Sequence, residues 1–173
     1  MENQASSKSI ILNYGLYLGL ITILTGLVKY ATGNLYVTEF YSGILGVLIV
    51  IVFVILGIKN FKATNKGLIG FGEAVKIGVG LTLIGTILII AYYFLLSTVI
   101  EPDFMANTME AQKVMFADSF GMTEGQIEEA TKNSEDNFYL SLFGGILVWN
   151  LFLGGITSLI TAAVVKKTEE DSY

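Results

Sequence analysis

FYSGILGVLIVIVFVILGI, from Phe40 to Ile58, decides the fold of this chain. The segment has 19 residues and no charged side chain. Its β-branched run would suit a buried strand in a shorter segment. At about 1.5 Å of rise per residue, however, a helix of this length crosses a hydrocarbon core of about 30 Å. The segment therefore predicts a membrane-spanning helix.

Three further apolar windows lie on either side of this one, at residues 10–28, 77–100 and 143–165, the last within a longer apolar region that starts at Phe138. The first window is too long for a signal peptide, and no small-residue cleavage site follows it. We therefore expect an all-α membrane protein with four transmembrane helices, forming one integral membrane domain over residues 1–173.

The composition agrees with this fold class and narrows the function. The chain is 53% hydrophobic and 14% charged, with a mean hydropathy of +0.67. It has no cysteine and no histidine, and all ten of its basic residues are lysines. Thiolate, disulfide and imidazole chemistry are therefore excluded. We expect no catalytic residues, no cofactor and no metal site, and hence no enzyme. A net charge of −5 argues against nucleic acid as a partner.

The distribution of lysines predicts the direction of the spans. With a cytoplasmic N-terminus, seven lysines fall on the inner side and three on the outer side, which agrees with the positive-inside rule. The inner set is Lys8, Lys59, Lys62, Lys66, Lys76, Lys166 and Lys167, and the outer set is Lys29, Lys113 and Lys132. We expect a multi-pass protein of the bacterial inner membrane with both termini cytoplasmic.

Small residues in the spans indicate where helices approach each other, because close packing joins helices in lipid. Gly15 and Gly19 are four residues apart in the first span, and Asn150, Gly154 and Ser158 follow one face of the fourth. That face predicts either helix packing, with hydroxyls bonded to their own backbone, or a polar groove that carries a substrate.

Asn13 and Asn150 are the strongly polar side chains within the spans, and we expect them to clamp helices together by hydrogen bonds. No Asp, Glu, Lys or Arg falls in the middle of any span. Ion-coupled transporters usually carry such a group, so its absence argues against active transport.

The predicted inner loop ends in GLIGFGEAVKIG, from Gly67 to Gly78. Glu73 is expected in the first turn of the third helix, where the helix dipole favours a carboxylate. Lys76 lies three residues further and is placed to pair with it. We interpret Glu73 as a boundary residue; the alternative is a carboxylate that faces the bundle interior and binds a cation or a head group.

Residues 101–137 form an acidic outer segment with nine carboxylates and two lysines, a net charge of −7. Met105, Met109, Phe116 and Phe120 fall on one predicted helical face. Thr123 starts the sequence TEGQ, which predicts a capping box and a second helix. We therefore expect two short outer helices between spans three and four, either covering the bundle or offering a docking surface.

The segments GLIGFGEAVKIG and SFGMTEGQIEEA, in a chain with four spans, resemble a bacterial membrane family catalogued as domain of unknown function 4199 and common in Bacteroidetes. The resemblance covers roughly Ser9 to Lys166. It implies the four-span topology, and it brings no catalytic residues to this chain.

Two functions remain in view at this stage. The first is a structural or accessory membrane subunit that acts through helix packing and its acidic outer segment, with membrane lipid and either a second copy or another membrane protein as partner. The second is a small transporter or channel with a polar groove along span four. The candidate functional or packing residues are Glu73, Lys76, Asn13, Asn150, Gly154 and Ser158.

Overall fold

The computed structural model describes residues 6–37 and 40–167, which contain six α-helices. Four of them, one with a π-helical extension at Leu96–Ile100, are long and apolar enough to cross a membrane. The predicted all-α membrane fold with two shorter helices between spans three and four is confirmed. The helices are α1 (Ser7–Ala31), α2 (Phe40–Thr64), α3 (Phe71–Leu95), α4 (Phe104–Phe120), α5 (Glu124–Asp136) and α6 (Phe138–Val165).

The third helix is the centre of the bundle. It packs most extensively against α1 and α6, and it also contacts α2. Small and hydroxyl residues recur every four positions along one of its faces, at Ala74, Gly78, Thr82 and Thr86, and all four are buried. A face of this kind lets neighbouring backbones approach closely, which is how helices associate where lipid removes the hydrophobic driving force.

The bundle is tightly packed at one end and spreads at the other. We call the end that holds the start of α1, the α2–α3 turn and the last turn of α6 the terminal end, and the opposite end the α4 end. The first buried residue of α2 is Ile49. In α6, apart from Phe138, the first buried residue is Gly154. The first halves of both helices therefore lie away from the core.

A cluster of aromatic rings covers the α4 end. The ring of Phe104, at the start of α4, lies 6.0 Å from that of Tyr36, 6.1 Å from that of Tyr93 and 6.2 Å from that of Phe138. These partners belong to the α1–α2 loop, α3 and α6. One buried side chain therefore fastens α4 to three other parts of the chain.

The predicted apolar face of α4 is only partly buried. Met109 is buried, whereas Met105 and Phe120 are exposed, because α4 contacts the bundle mainly through Phe104 and Met109. Of the two hydrogen bonds expected for the capping box before α5, one is present: the backbone N–H of Thr123 donates to Oε1 of Gln126 at 2.9 Å.

The terminal end is closed by contacts between the α2–α3 turn and the end of α6. Ile69 and Lys167 exchange two backbone hydrogen bonds, of 2.9 and 3.0 Å, and Ile69 is buried. The ammonium of Lys62 donates to the carbonyl of Val165 at 2.7 Å, at the C-terminus of α6 where a positive charge is favoured. The turn and the last helix are thus joined directly.

Candidate functional site

The α3–α6 seam, the contact between the small-residue faces of these two helices, contains two of the predicted residues, Gly154 and Ser158. A Cβ atom placed on Gly154 would lie 2.8 Å from Cβ of Thr82, and one placed on Gly78 would lie 2.8 Å from Cβ of Ser158. Each hydroxyl residue thus occupies the space left by a glycine on the other helix. The seam fills the candidate groove of α6 at two of its three predicted positions, Gly154 and Ser158.

The hydroxyl groups in this seam are satisfied by their own helices. Oγ1 of Thr82 donates to the carbonyl of Gly78 and Oγ1 of Thr86 to that of Thr82, both at 2.8 Å. Oγ of Ser158 donates to the carbonyl of Gly154. Because Thr82, Thr86 and Ser158 are fully buried, these bonds leave no hydroxyl free for a passing solute.

A second seam joins α1 to α3. A Cβ on Gly15 would lie 2.8 Å from the carbonyl oxygen of Leu81, and one on Gly19 would lie 2.9 Å from Cβ of Leu88. In return, Gly85 of α3 receives the side chain of Leu18. The central helix is therefore held between glycine-lined contacts on two sides.

Glu73 and Lys76 lie at the terminal end, at the start of α3. Glu73 is in the first helical turn and is half-buried, and Lys76 is exposed. No ion pair joins the two among the residues that the structure describes. The carboxylate therefore sits in the favourable field of the helix N-terminus without a cationic partner from its own helix.

The two predicted asparagine clamps bond within their own helices instead of between helices. Nδ2 of Asn13 approaches Oγ of Ser9 at 3.4 Å on an exposed face, and Nδ2 of Asn150 donates to the carbonyl of Ile146 at 2.9 Å. The expectation of interhelical bonds is wrong because the amide of each reaches back to the preceding turn.

An interhelical polar bond does exist at a position that the sequence analysis did not single out. Nδ2 of Asn60, near the end of α2, donates to the hydroxyl oxygen of Tyr14 in α1 at 3.0 Å. Asn60 lies just past the apolar window, beside Lys59, so the sequence predicts that it belongs to a loop. The helix continues to Thr64 and carries Asn60 onto the bundle.

Where the helices spread at the α4 end, they leave a half-open cavity of about 420 Å³ beneath α4. Its walls come from the end of α1, the α1–α2 loop, and helices α2, α3, α4 and α6. Most of the lining is apolar, and the polar side chains are those of Lys29, Tyr36, Ser42, Tyr93, Thr108 and Gln112. We call this cavity the main chamber.

Two side chambers adjoin the main chamber. One, of about 500 Å³, lies between the halves of α1 and α2 nearest the α4 end and shares Lys29, Ser42 and Tyr93 with the main chamber. The other, of about 260 Å³, lies between α4 and α6 and shares Gln112 and Ile146, among others. Volumes of about 300–1,000 Å³ are typical of small-molecule sites.

The chambers end above the α3–α6 seam. Ile146 lines the main chamber, Asn150 bonds back to it one turn deeper, and Gly154 packs against Thr82 one turn deeper still. The cavity is therefore blind toward the terminal end. It opens sideways instead, between α1 and α2, where Leu24 and Leu45 line the wall and are exposed on the outside of the bundle.

Lys29 supplies the positive charge of this cavity. Of the described residues that line the three chambers, Lys29 alone carries a charge. It is half-buried, and its ammonium donates a hydrogen bond to the carbonyl of Val37 at 2.9 Å. An ammonium has three donors, so two remain for another partner. In the sequence, Lys29 is one of the three lysines on the predicted outer side, and nothing near it in the chain indicates a cavity.

Two tyrosine hydroxyls beside the chambers are buried without a hydrogen-bond partner among the described residues, those of Tyr36 and Tyr92. Tyr36 lines the main chamber; the side chain of Asn107 is nearby but does not reach bonding geometry. Burial raises the pKa of the Tyr36 phenol above 10.0; the nearby side chain of Asn107 offsets part of this rise, and the carboxylates of Glu101 and Asp103 add to it.

A family model described as "Protein of unknown function (DUF4199)" matches residues 13–167. No curated protein and no solved structure matches the chain.

Proposed function

The chain belongs to the DUF4199 family, whose function is unknown, and from its helix packing we propose that it is a non-enzymatic accessory protein of the bacterial inner membrane. In this proposal both termini are cytoplasmic and the α4 end faces outward. The protein acts by binding at that end, to other membrane components.

The observation that carries this proposal is the contrast between the two ends of the bundle. At the terminal end, Ser158 packs on Gly78 and Thr82 on Gly154, and a backbone pairing joins Ile69 to Lys167. At the α4 end the helices spread around a blind cavity. A closely packed terminal end and a cavity beneath α4 at the other end suit a binding role better than conduction, because conduction requires a path through both ends.

The acidic helix α5 supports a partner at the α4 end. Glu124, Glu128, Glu129 and Glu135 are all exposed on it, and its few contacts with the bundle are mainly with α4 and α6. Exposed carboxylates on one short helix favour a basic surface on a partner, because such complementarity steers association. The partner is either a second copy of the chain or another membrane protein.

Site-specific photocrosslinking tests this proposal in intact membranes. A photoreactive residue at position 128, on α5, is expected to capture a protein partner, whereas one at Leu159, on the exposed face of α6, captures lipid. If position 128 yields no protein adduct and native gels show a single unpartnered chain, the accessory role is wrong.

The alternative of a small transporter or channel is tested by the same protein in liposomes. Its predicted groove runs along Asn150, Gly154 and Ser158, a face that α3 fills at the last two positions. We expect no solute flux above that of empty liposomes. A flux that Asn150→Leu abolishes in a variant that still folds would instead establish transport along α6.

A further inference from the structure

The cavity at the α4 end has the form of a site that is reached from the bilayer. Its α1–α2 side chamber is walled by Leu24, Val28 and Leu45, all of which are also exposed on the outside of the bundle. These residues lie on helices long and apolar enough to cross a membrane. A ligand that enters by this gap therefore comes from the lipid phase.

Two glycines of α2 border this open space. Gly43 and Gly46 line the main and the α1–α2 chambers, and a Cβ on either would meet nothing within 4 Å. By contrast, a Cβ on Gly57 of the same helix would lie 2.6 Å from Cδ2 of Leu81 and in ordinary van der Waals contact with Tyr14. The glycines of α2 thus serve helix packing near the terminal end and leave a void near the α4 end.

We propose that this cavity binds one phospholipid from the surrounding membrane, with its phosphate at the ammonium of Lys29 and an acyl chain in the α1–α2 chamber. The proposal goes beyond the accessory role, and neither depends on the other. It assigns a chemical class to the occupant, an amphipathic molecule with one anionic group and a long apolar body.

Charge and hydrogen bonding support the placement of the head group. Lys29 uses one donor on Val37, and a lysine ammonium is a point charge well suited to phosphate. The wall near Tyr36 is made negative by Glu101 and Asp103, so an anionic group is favoured on the Lys29 side of the main chamber. The phosphate is therefore expected beside Lys29 and away from the aromatic cluster around Phe104.

The hydroxyl of Tyr36, which has no hydrogen-bond partner among the described residues, is a second indication of a ligand. Tyr36 lines the main chamber, whereas Tyr92 packs behind Gly26 and is not among the residues that line the three chambers. A buried hydroxyl without a partner is destabilising. An ester oxygen of a phospholipid whose phosphate is held at Lys29 would supply the acceptor that the Tyr36 hydroxyl lacks.

Native mass spectrometry of the protein released from lipid nanodiscs tests the proposal. We expect one retained phospholipid per chain, and about tenfold lower retention in Lys29→Met, since a hydrogen bond to a charged group is lost. Lys132→Met, on the exposed surface of α5, is the matched control and is expected to retain lipid as the wild type does.

A second pair of variants keeps the test valid if Lys29→Met fails to fold. Gly46→Leu adds a side chain to the α1–α2 chamber, and Gly155→Leu adds one to open space on α6 outside the chambers. Only Gly46→Leu is expected to lose the bound lipid. Equal retention by the two variants would overturn the acyl-chain position.

A phospholipid with a photoreactive group in its acyl chain locates the site directly. We expect labelling within residues 22–28 and 42–46, and competition by unlabelled phospholipid but not by a free fatty acid. Labelling spread evenly over the exposed faces of α1 and α6, or equal competition by fatty acid, would show that the cavity is not a phospholipid site.

Discussion

Gly154 and Gly155 are adjacent in α6 but have opposite surroundings. A Cβ atom on Gly154 would lie 2.8 Å from Cβ of Thr82 in the central helix, whereas one on Gly155 would meet nothing within 4 Å. The same chemical change at two neighbouring positions therefore separates the effect of close helix packing from the general effect of replacing a glycine.

We predict that Gly154→Ala destabilises the bundle by about 1–3 kcal/mol, since an added methyl forces α3 and α6 apart in a packed seam. Gly155→Ala is expected to be neutral or slightly stabilising, because alanine favours the helix. Unfolding of the purified variants in mixed micelles measures both. Equal stability of the two variants would mean that the seam is not closely packed in the membrane.

Replacement of Lys62 by methionine is predicted to loosen the terminal end. The substitution removes the ammonium that binds the Val165 carbonyl at the C-terminus of α6, a charged hydrogen bond worth about 1.5–3 kcal/mol. Faster hydrogen exchange of the Ile69 and Lys167 amides is the expected sign. Lys59→Met, at an exposed position three residues away, is the control and leaves these amides as protected as before.

Gln126→Ala is predicted to fray α5 without unfolding the bundle. The side chain of Gln126 accepts a hydrogen bond from the Thr123 backbone, and loss of such a cap costs about 1 kcal/mol locally. Exchange of the first amides of α5 is expected to rise, and that of α3 to stay unchanged. Glu129→Ala, on the exposed surface of the same helix, provides the comparison. Unaltered exchange at α5 in Gln126→Ala would contradict the capping role.

We predict that the protein loses stability at alkaline pH because the Tyr36 phenol ionises. Its folded pKa is raised above 10.0 by burial, while the unfolded chain ionises near its ordinary value. The stability linked to this phenol is therefore complete below pH 10.0 and is lost as the pH rises toward the folded pKa. In a pH series across this range, Tyr36→Phe is expected to lose less unfolding free energy than the wild type. Tyr41→Phe, at an exposed position, controls for the loss of a hydroxyl.

The sequence predicts the fold because hydropathy and helix length are local properties. The uncharged run from Phe40 to Ile58 requires no knowledge of its neighbours to be recognised as a span. Likewise, the TEGQ sequence indicates the start of α5 through residues only three positions apart. Both features depend on the chain close to them.

The contacts between helices are not local in this sense. The face of Gly154 and Ser158 is visible in the sequence, and so is the matching face of Gly78 and Thr82. Their pairing is a matter of shape, since several helices carry small residues at the same spacing. The cavity is less predictable still, because it is defined by side chains that do not meet. The position of Lys29 in this cavity therefore does not follow from the sequence around it.

The backbone pairing of Ile69 with Lys167 gives the end of α6 a second attachment to the bundle, at the turn that precedes α3. A displacement of Lys167 would therefore be transmitted to the base of the central helix as well as along α6.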